Sequence, residues 1–247
     1  MKTFSLALAL TFAGTLNLLA QISFAGGIYS QNFNSLASSG FDAALPAGWT
    51  FAEFGNNADG NYEVNHGSNN AGNTYSYGAI GSSERALGCL ASGNLVSVIG
   101  ANFINSTGGP LSALAISYTG EQWRRGDGDA NTLAFAYSTN ATSLTSGTWT
   151  SVSQLNFTSP TTSGPNTLDG NAAANSAAVG HIITGVNIPA GAAFWIRWSD
   201  NNDIGADDGL AIDDFTLEMA ILPIQLASFA GDKKGSSIHL SWRTATE

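Results

Sequence analysis

Phe194-Trp195-Ile196-Arg197-Trp198 runs through the turn-rich Asp200-Asn201-Asn202-Asp203-Ile204-Gly205-Ala206-Asp207-Asp208 into Gly209-Leu210-Ala211-Ile212-Asp213-Asp214-Phe215, and this stretch decides the reading of the chain. In the first segment Phe194, Ile196 and Trp198 share one parity, while Trp195 and Arg197 take the other. A period of two is the repeat of a pleated strand with one face in a core. The middle segment is rich in Asp, Asn and Gly, which form turns by capping nearby backbone or by tolerating φ > 0. In the third segment Leu210 and Ile212 have one parity, but Phe215 and Leu217 have the other. Keeping one face in the core throughout requires a β-bulge near Asp213 and Asp214.

The same alternation recurs upstream, in Leu114-Ala115-Ile116-Ser117-Tyr118 and in Leu133-Ala134-Phe135-Ala136-Tyr137. His181-Ile182-Ile183 and Val186-Asn187-Ile188 read as strand around a turn at Gly185. Many short period-two runs bounded by Gly, Pro, Asn and Ser predict an all-β fold, an antiparallel jelly-roll β-sandwich over residues 26–220. Residues 55–78 and 158–178 read as long surface loops, the first with a short strand at Tyr62-Glu63-Val64, the second ending in a helical turn near 171–178. Loops of that length in a compact domain tend to carry function.

Both ends differ from this body. Residues 1–25 read as a signal peptide: Lys2, an apolar run over 4–19, then small residues that allow cleavage after Ala25 or after Ala20. No later run is long and apolar enough for a membrane span. Residues 221–247 read as a linker and two strands around Lys233-Lys234-Gly235, a fragment of a second β domain, since two strands do not make a domain.

The chain carries 18 acids against 8 bases, a formal charge of −10. That field repels phosphate backbones and anionic lipid, which argues against nucleic acid and favours cations or a neutral polymer such as polysaccharide. Cys89, the single cysteine, excludes a disulfide framework and a thiolate zinc site, and reads as a small buried hydrophobe.

Two chemistries follow from the residue types. Asp200, Asp203, Asp207, Asp208, Asp213 and Asp214 offer the clustered oxygens that calcium takes, with a structural Ca2+ as the implied cofactor. The competing reading is a solvated loop in which each aspartate caps a turn. Asp127, Asp129 and Asn131 form a weaker candidate with alternate spacing. Tyr75, Tyr77 and Trp195 are the candidate ligand-binding rings, expected to be exposed and able to stack on sugars. The nucleophile-elbow, zinc-protease and phosphate-loop motifs do not occur. Glu53, Glu63, Glu84 and Glu121 could pair as a glycosidase dyad only as two close, buried carboxylates in a cleft, and Glu121 near Arg124 and Glu84 beside Arg85 read better as ion pairs at strand ends.

Gln31-Asn32-Phe33-Asn34-Ser35-Leu36, Leu45-Pro46-Ala47-Gly48-Trp49-Thr50 and the closing Ile212-Asp213-Asp214-Phe215 resemble the end motifs of secreted bacterial jelly-roll modules of cleaved-adhesin and MAM-like architecture. The tail from Leu222-Pro223-Ile224-Gln225-Leu226 resembles the start of a fibronectin-III-like domain, as in type IX secretion substrates. The resemblance implies a secreted or surface-displayed, non-catalytic binding or adhesion module for polysaccharide. The alternative is an accessory domain of a secreted hydrolase or nuclease whose catalytic domain lies elsewhere.

Overall fold

Phe194, Ile196 and Trp198 face inward with no exposure from β14 (Ala193–Asp200), in a computed structural model that describes residues 20–220 and 226–245. β14 pairs antiparallel with β8 (Val96–Asn105) on one side and β10 (Thr132–Ser138) on the other. β8 also carries β1 (Ile22–Phe24), in parallel, and β4 (Trp49–Phe54), antiparallel. The short β11 (Thr150–Ser151) and β12 (Phe157–Thr158) line the far side of β10 and complete a seven-stranded sheet.

The facing sheet has eight strands. Its order is β13 (Ser176–Ile188), β9 (Leu111–Arg124), β15 (Gly209–Met219), β7 (Ala86–Leu90), β6 (Asn73–Tyr77), β5 (Tyr62–Asn65) and β3 (Phe41–Asp42), with β2 (Tyr29–Gln31) also on β15. The all-β sandwich expected from the alternation is what the chain forms. Two of its pairings, β1–β8 and β5–β6, are parallel, because alternation encodes the pleat and not the direction of the neighbour.

The core lies between the sheets and is aromatic at its centre. Trp198 stacks near-parallel on Trp49 at 6.1 Å and meets Tyr118, Phe135 and Phe215 edge-on at 5.3, 5.1 and 5.8 Å. Each such ring contributes roughly 1.5–3 kcal/mol by leaving water, which lets the fold stand without a disulfide. Cys89 is fully buried on β7.

The predicted bulge is present. β15 pairs with β9 through Asp213, then shifts register before Thr216, with Asp214 at φ 46°. The extra residue lets Ile212 and Phe215 both reach the core at 0% exposure.

Several expectations are corrected. β1 lies ahead of residue 26, and Ile22 and Phe24 are buried in the core, so the sandwich begins earlier than expected. Of the two cleavage points, the one after Ala20 leaves β1 in place. The apolar run over 4–19 lies outside the described residues. Residues 55–78 hold both β5 and β6 rather than one short strand in a loop. Residues 171–175 form turns, and Ser176 already opens β13, so no helical turn spans 171–178. The tail forms a hairpin of β16 (Leu226–Lys234) and β17 (Ser237–Thr244) as a sheet of its own, while 221–225 lie outside the described residues. No helix among the described residues is long and apolar enough to cross a membrane.

Candidate functional site

The six aspartates that the sequence groups together separate into three places. The first is the loop between β14 and β15. There the Asp207 Oδ1 accepts the Asp203 N–H at 2.8 Å, and the Asp208 Oδ1 accepts the Gly126 N–H at 2.6 Å. The Asp203 Oδ2 accepts from the Asn131 amide at 2.9 Å, and the Asp127 Oδ2 accepts the Ala206 N–H at 3.1 Å. The two acidic segments, 125–131 and 200–208, are thus one body. Gly126 is required there, because a Cβ would run into the Ala206 carbonyl. Asp127, Asp207 and Asp208 cap backbone N–H groups, as in the competing reading of the sequence, while Asp203 ties to a side-chain amide. Three oxygens are left over: both of Asp200, which is 1% exposed, and the Asp208 Oδ2. Burial, and next the neighbouring Asp207, push the Asp200 carboxyl well above the usual carboxylate range.

Asp214 forms the second place. It is exposed at the bulge, where it lines an open hollow of about 360 Å³ with Ser30, Gln31, Asn32 and Thr216.

Asp213 forms the third, on the outer face of the eight-stranded sheet. Glu121 pairs across from Ala211 and Asp213 from Thr119, so Glu121 and Asp213 are diagonal neighbours on that face. Glu84, two residues before β7, has the parity that brings it to the same face. One carboxylate oxygen from each of Glu84, Glu121 and Asp213 lies within 4.8 Å of the other two. The Glu121 Oε2 accepts the Trp123 indole N–H at 2.8 Å, and the Glu84 Oε2 accepts from the Asn171 amide at 2.6 Å. Burial, and then the Glu84 charge, push the Glu121 carboxyl up to about 7, against the Trp123 bond that lowers it. Burial also raises Asp213, and the charges of Glu121 and Asp214 add to the effect.

The expected ion pairs are not what these glutamates make. Arg124 donates to the carbonyls of Gly67 and Ser68, and Arg85 donates to Ser76 and the Asn65 carbonyl. Sequence reasoning named Glu84, Glu121 and Asp213 separately but could not group them, because a parity argument yields a face, not a partner two strands away. The one available signal was that Glu121 and Asp213 both sit on strands rather than in turns.

The rings expected to be exposed are buried, and the ligand-binding assignment of Tyr75, Tyr77 and Trp195 is corrected. Tyr75 and Tyr77 are 0% and 1% exposed. Tyr77 stacks on Trp123 at 6.0 Å, and the Tyr75 hydroxyl donates to the Ala71 carbonyl at 2.7 Å. Trp195, at 2%, packs with Val98, Ala141 and Leu144. Both outer faces are covered by folded loops: the Ala141–Leu144 region lies over Trp195, and Gly170 approaches the Trp123 ring too closely for a Cβ. Alternation identifies the face opposite the core, but not whether a loop folds over it.

Another open concavity lies along β4. A groove of about 610 Å³ is lined by Leu45, Trp49, Phe51, Glu53, Ala58 and Gly60, among others. β4 pairs with β8 alone, so the groove follows a strand edge. Glu53 braces the wall: its Oε2 accepts the Asp59 and Gly60 N–H groups at 3.2 and 3.1 Å, and its Oε1 accepts the Thr74 hydroxyl at 2.7 Å. Trp49 is fixed by its indole N–H on the Tyr29 hydroxyl at 2.8 Å. Phe51 remains half-buried beside Tyr62.

No family model matches the chain, and no curated protein matches it. Among solved structures, the K1 cleaved adhesin domain of Lys-gingipain from Porphyromonas gingivalis W83 is 12% identical with a TM-score of 0.42, over 79% of this chain and 99% of that one. The CBM22-1 xylan-binding domain of Xyn10C from Paenibacillus barcinonensis is 10% identical with a TM-score of 0.38, over 81% of this chain and 97% of that one. TmCBM61, solved with β-1,4-galactotriose, is 12% identical with a TM-score of 0.36, over 70% of this chain and 88% of that one.

Proposed function

We propose that the sandwich is a secreted or surface-displayed, non-catalytic binding or adhesion module whose ligand is a neutral polysaccharide. The groove along β4 carries this reading. Its floor holds the half-buried Phe51 ring beside Trp49, and its side is a strand bonded on one edge only. A sugar presents an apolar face to a ring and hydroxyls to peptide groups, which matches a concave site with an apolar floor and a few fixed polar groups. The formal charge of −10 supports a neutral polymer over a polyanionic one. A structural calcium in the acidic loop belongs to the same proposal. It is supported by the buried Asp200 carboxyl, which meets only the Ala91 backbone, and by the unpartnered Asp208 Oδ2.

The test is a glycan array on the full chain, followed by calorimetry with the best neutral polysaccharide. Phe51→Ala is expected to weaken binding about tenfold, equivalent to about 1.4 kcal/mol. Absence of any neutral glycan binding, or an unchanged affinity in Phe51→Ala, would defeat the reading. For the loop, Asp200→Asn is expected to reduce the calcium-dependent rise in melting temperature, and an unchanged rise would defeat the loop site.

A further inference from the structure

Glu84, Glu121 and Asp213 lie apart from both the groove and the acidic loop, on the outer face of the eight-stranded sheet. Three neighbouring strands converge there: Gly88 of β7 pairs with Ala211 of β15, which pairs in turn with Glu121 of β9. Among the described residues this is the group of three carboxylates that each bring one oxygen within 4.8 Å of the others. Acidic residues in a turn are common without an ion, but Glu121 and Asp213 lie on strands. Glu121 and Asp213 are 2% and 5% exposed.

A second observation is independent of the clustering. The Asp213 Oδ1 and the Glu84 Oε1 are covered from solvent and have no hydrogen-bond partner. A buried carboxylate oxygen left bare costs well over the ordinary hydrogen-bond range, so Asp213 and Glu84, which face each other, need either a shared proton or a cation. Arg85 does not supply it, since its guanidinium is bound to Ser76 and the Asn65 carbonyl. Asp169 and Asp214 add negative charge to the same place.

We infer that Glu84, Glu121 and Asp213 form a binding site for a calcium-sized divalent cation, separate from the acidic loop. The chemistry is that of a hard ion, since all the donors are carboxylate oxygens and none is imidazole or thiolate. Oxygens that close can share one ion with bonds of about 2.4 Å. The remaining ligands would be water and carbonyls. The Asn171 amide holds the Glu84 Oε2 and the Trp123 indole holds the Glu121 Oε2, which leaves one oxygen of each glutamate without a donor. Both strand carboxylates are too covered to meet a polymer, so an ion suits the site better than a sugar. The site joins β7, β9 and β15 beneath residues 169–175, so occupancy would tie that loop to the sheet.

The probe is terbium, a calcium-sized ion whose emission is excited by a nearby indole. Trp123 donates to Glu121 and is therefore in range. The full chain, stripped by chelator, is expected to show tryptophan-sensitised terbium emission that calcium displaces. Asp213→Asn is expected to weaken this by at least about tenfold, because affinity follows the count of charged ligands. The same variant in chelator is expected to melt higher than the stripped wild type, since it removes like-charge crowding. Asp200→Asn, in the acidic loop, is expected to leave intact the part of the emission that Asp213→Asn removes. Glu84→Gln, at the half-buried ligand, is the second variant if Asp213→Asn does not fold, and it too is expected to lose emission. Absence of sensitised emission in the wild type overturns the inference, as does emission undiminished in the folded variant.

Discussion

Tyr77 shows how a single side chain can be misplaced by local reasoning. It lies among Asn, Ser and Gly, yet its ring is stacked on Trp123 and its hydroxyl is buried without a partner. The ring earns its place by packing, while the hydroxyl is a cost. Tyr77→Phe is therefore expected to be neutral or to stabilise by up to about 1 kcal/mol, read from urea unfolding, because it deletes an unsatisfied group and keeps the ring. A loss above about 1 kcal/mol would mean that the hydroxyl has a partner in solution. Trp195 teaches the same lesson from the other sheet. Its indole lies under Leu144, and Arg197 beside it stacks on Trp149 at 4.0 Å, so this outer face is a small second core.

At the scale of elements, β15 carries most of the argument. Its parity switch predicts a bulge, and the bulge then sends Asp213 and Asp214 to different surroundings. Asp214 sits at φ 46°, in the left-handed region that costs a side chain about 1 kcal/mol. Asp214→Gly is expected to stabilise the fold by about 0.5–1 kcal/mol in chelator, measured by chemical denaturation, since it relieves that strain and removes a charge beside Glu121 and Asp213. Destabilisation would show instead that the Asp214 carboxylate is needed by the hollow it lines with Gln31 and Asn32. The bulge was legible in the sequence because side chains on a strand alternate strictly, so a break in parity must be absorbed by an extra residue. The Glu84–Glu121–Asp213 group was not legible, because the register between β7, β9 and β15 sets it.

At the scale of the molecule, the N-terminal strand is decisive. β1 lies in parallel on β8 and buries Ile22 and Phe24 in the core. If the chain is exported, its mature form is expected to begin at Gln21, as intact-mass measurement would read. A start at Gly26 would remove two core side chains worth roughly 1.5–3 kcal/mol each, and such a chain is expected to melt lower than one starting at Gln21. Equal melting temperatures for the two forms would show that β1 is dispensable.

The sequence by itself determined that this is an all-β sandwich, where its main strands run, and that the closing strand is bulged. Those features follow from the pleat, a repeat of two residues that acts locally. Only the tertiary structure decided that β1–β8 and β5–β6 run parallel and that Tyr75, Tyr77 and Trp195 are covered. It also decided that the aspartates divide among a capped loop, an exposed hollow and a buried carboxylate cluster. The physical reason is the same in each case: the partner comes from far along the chain, and burial or charge pairing exists only once the sheets have formed.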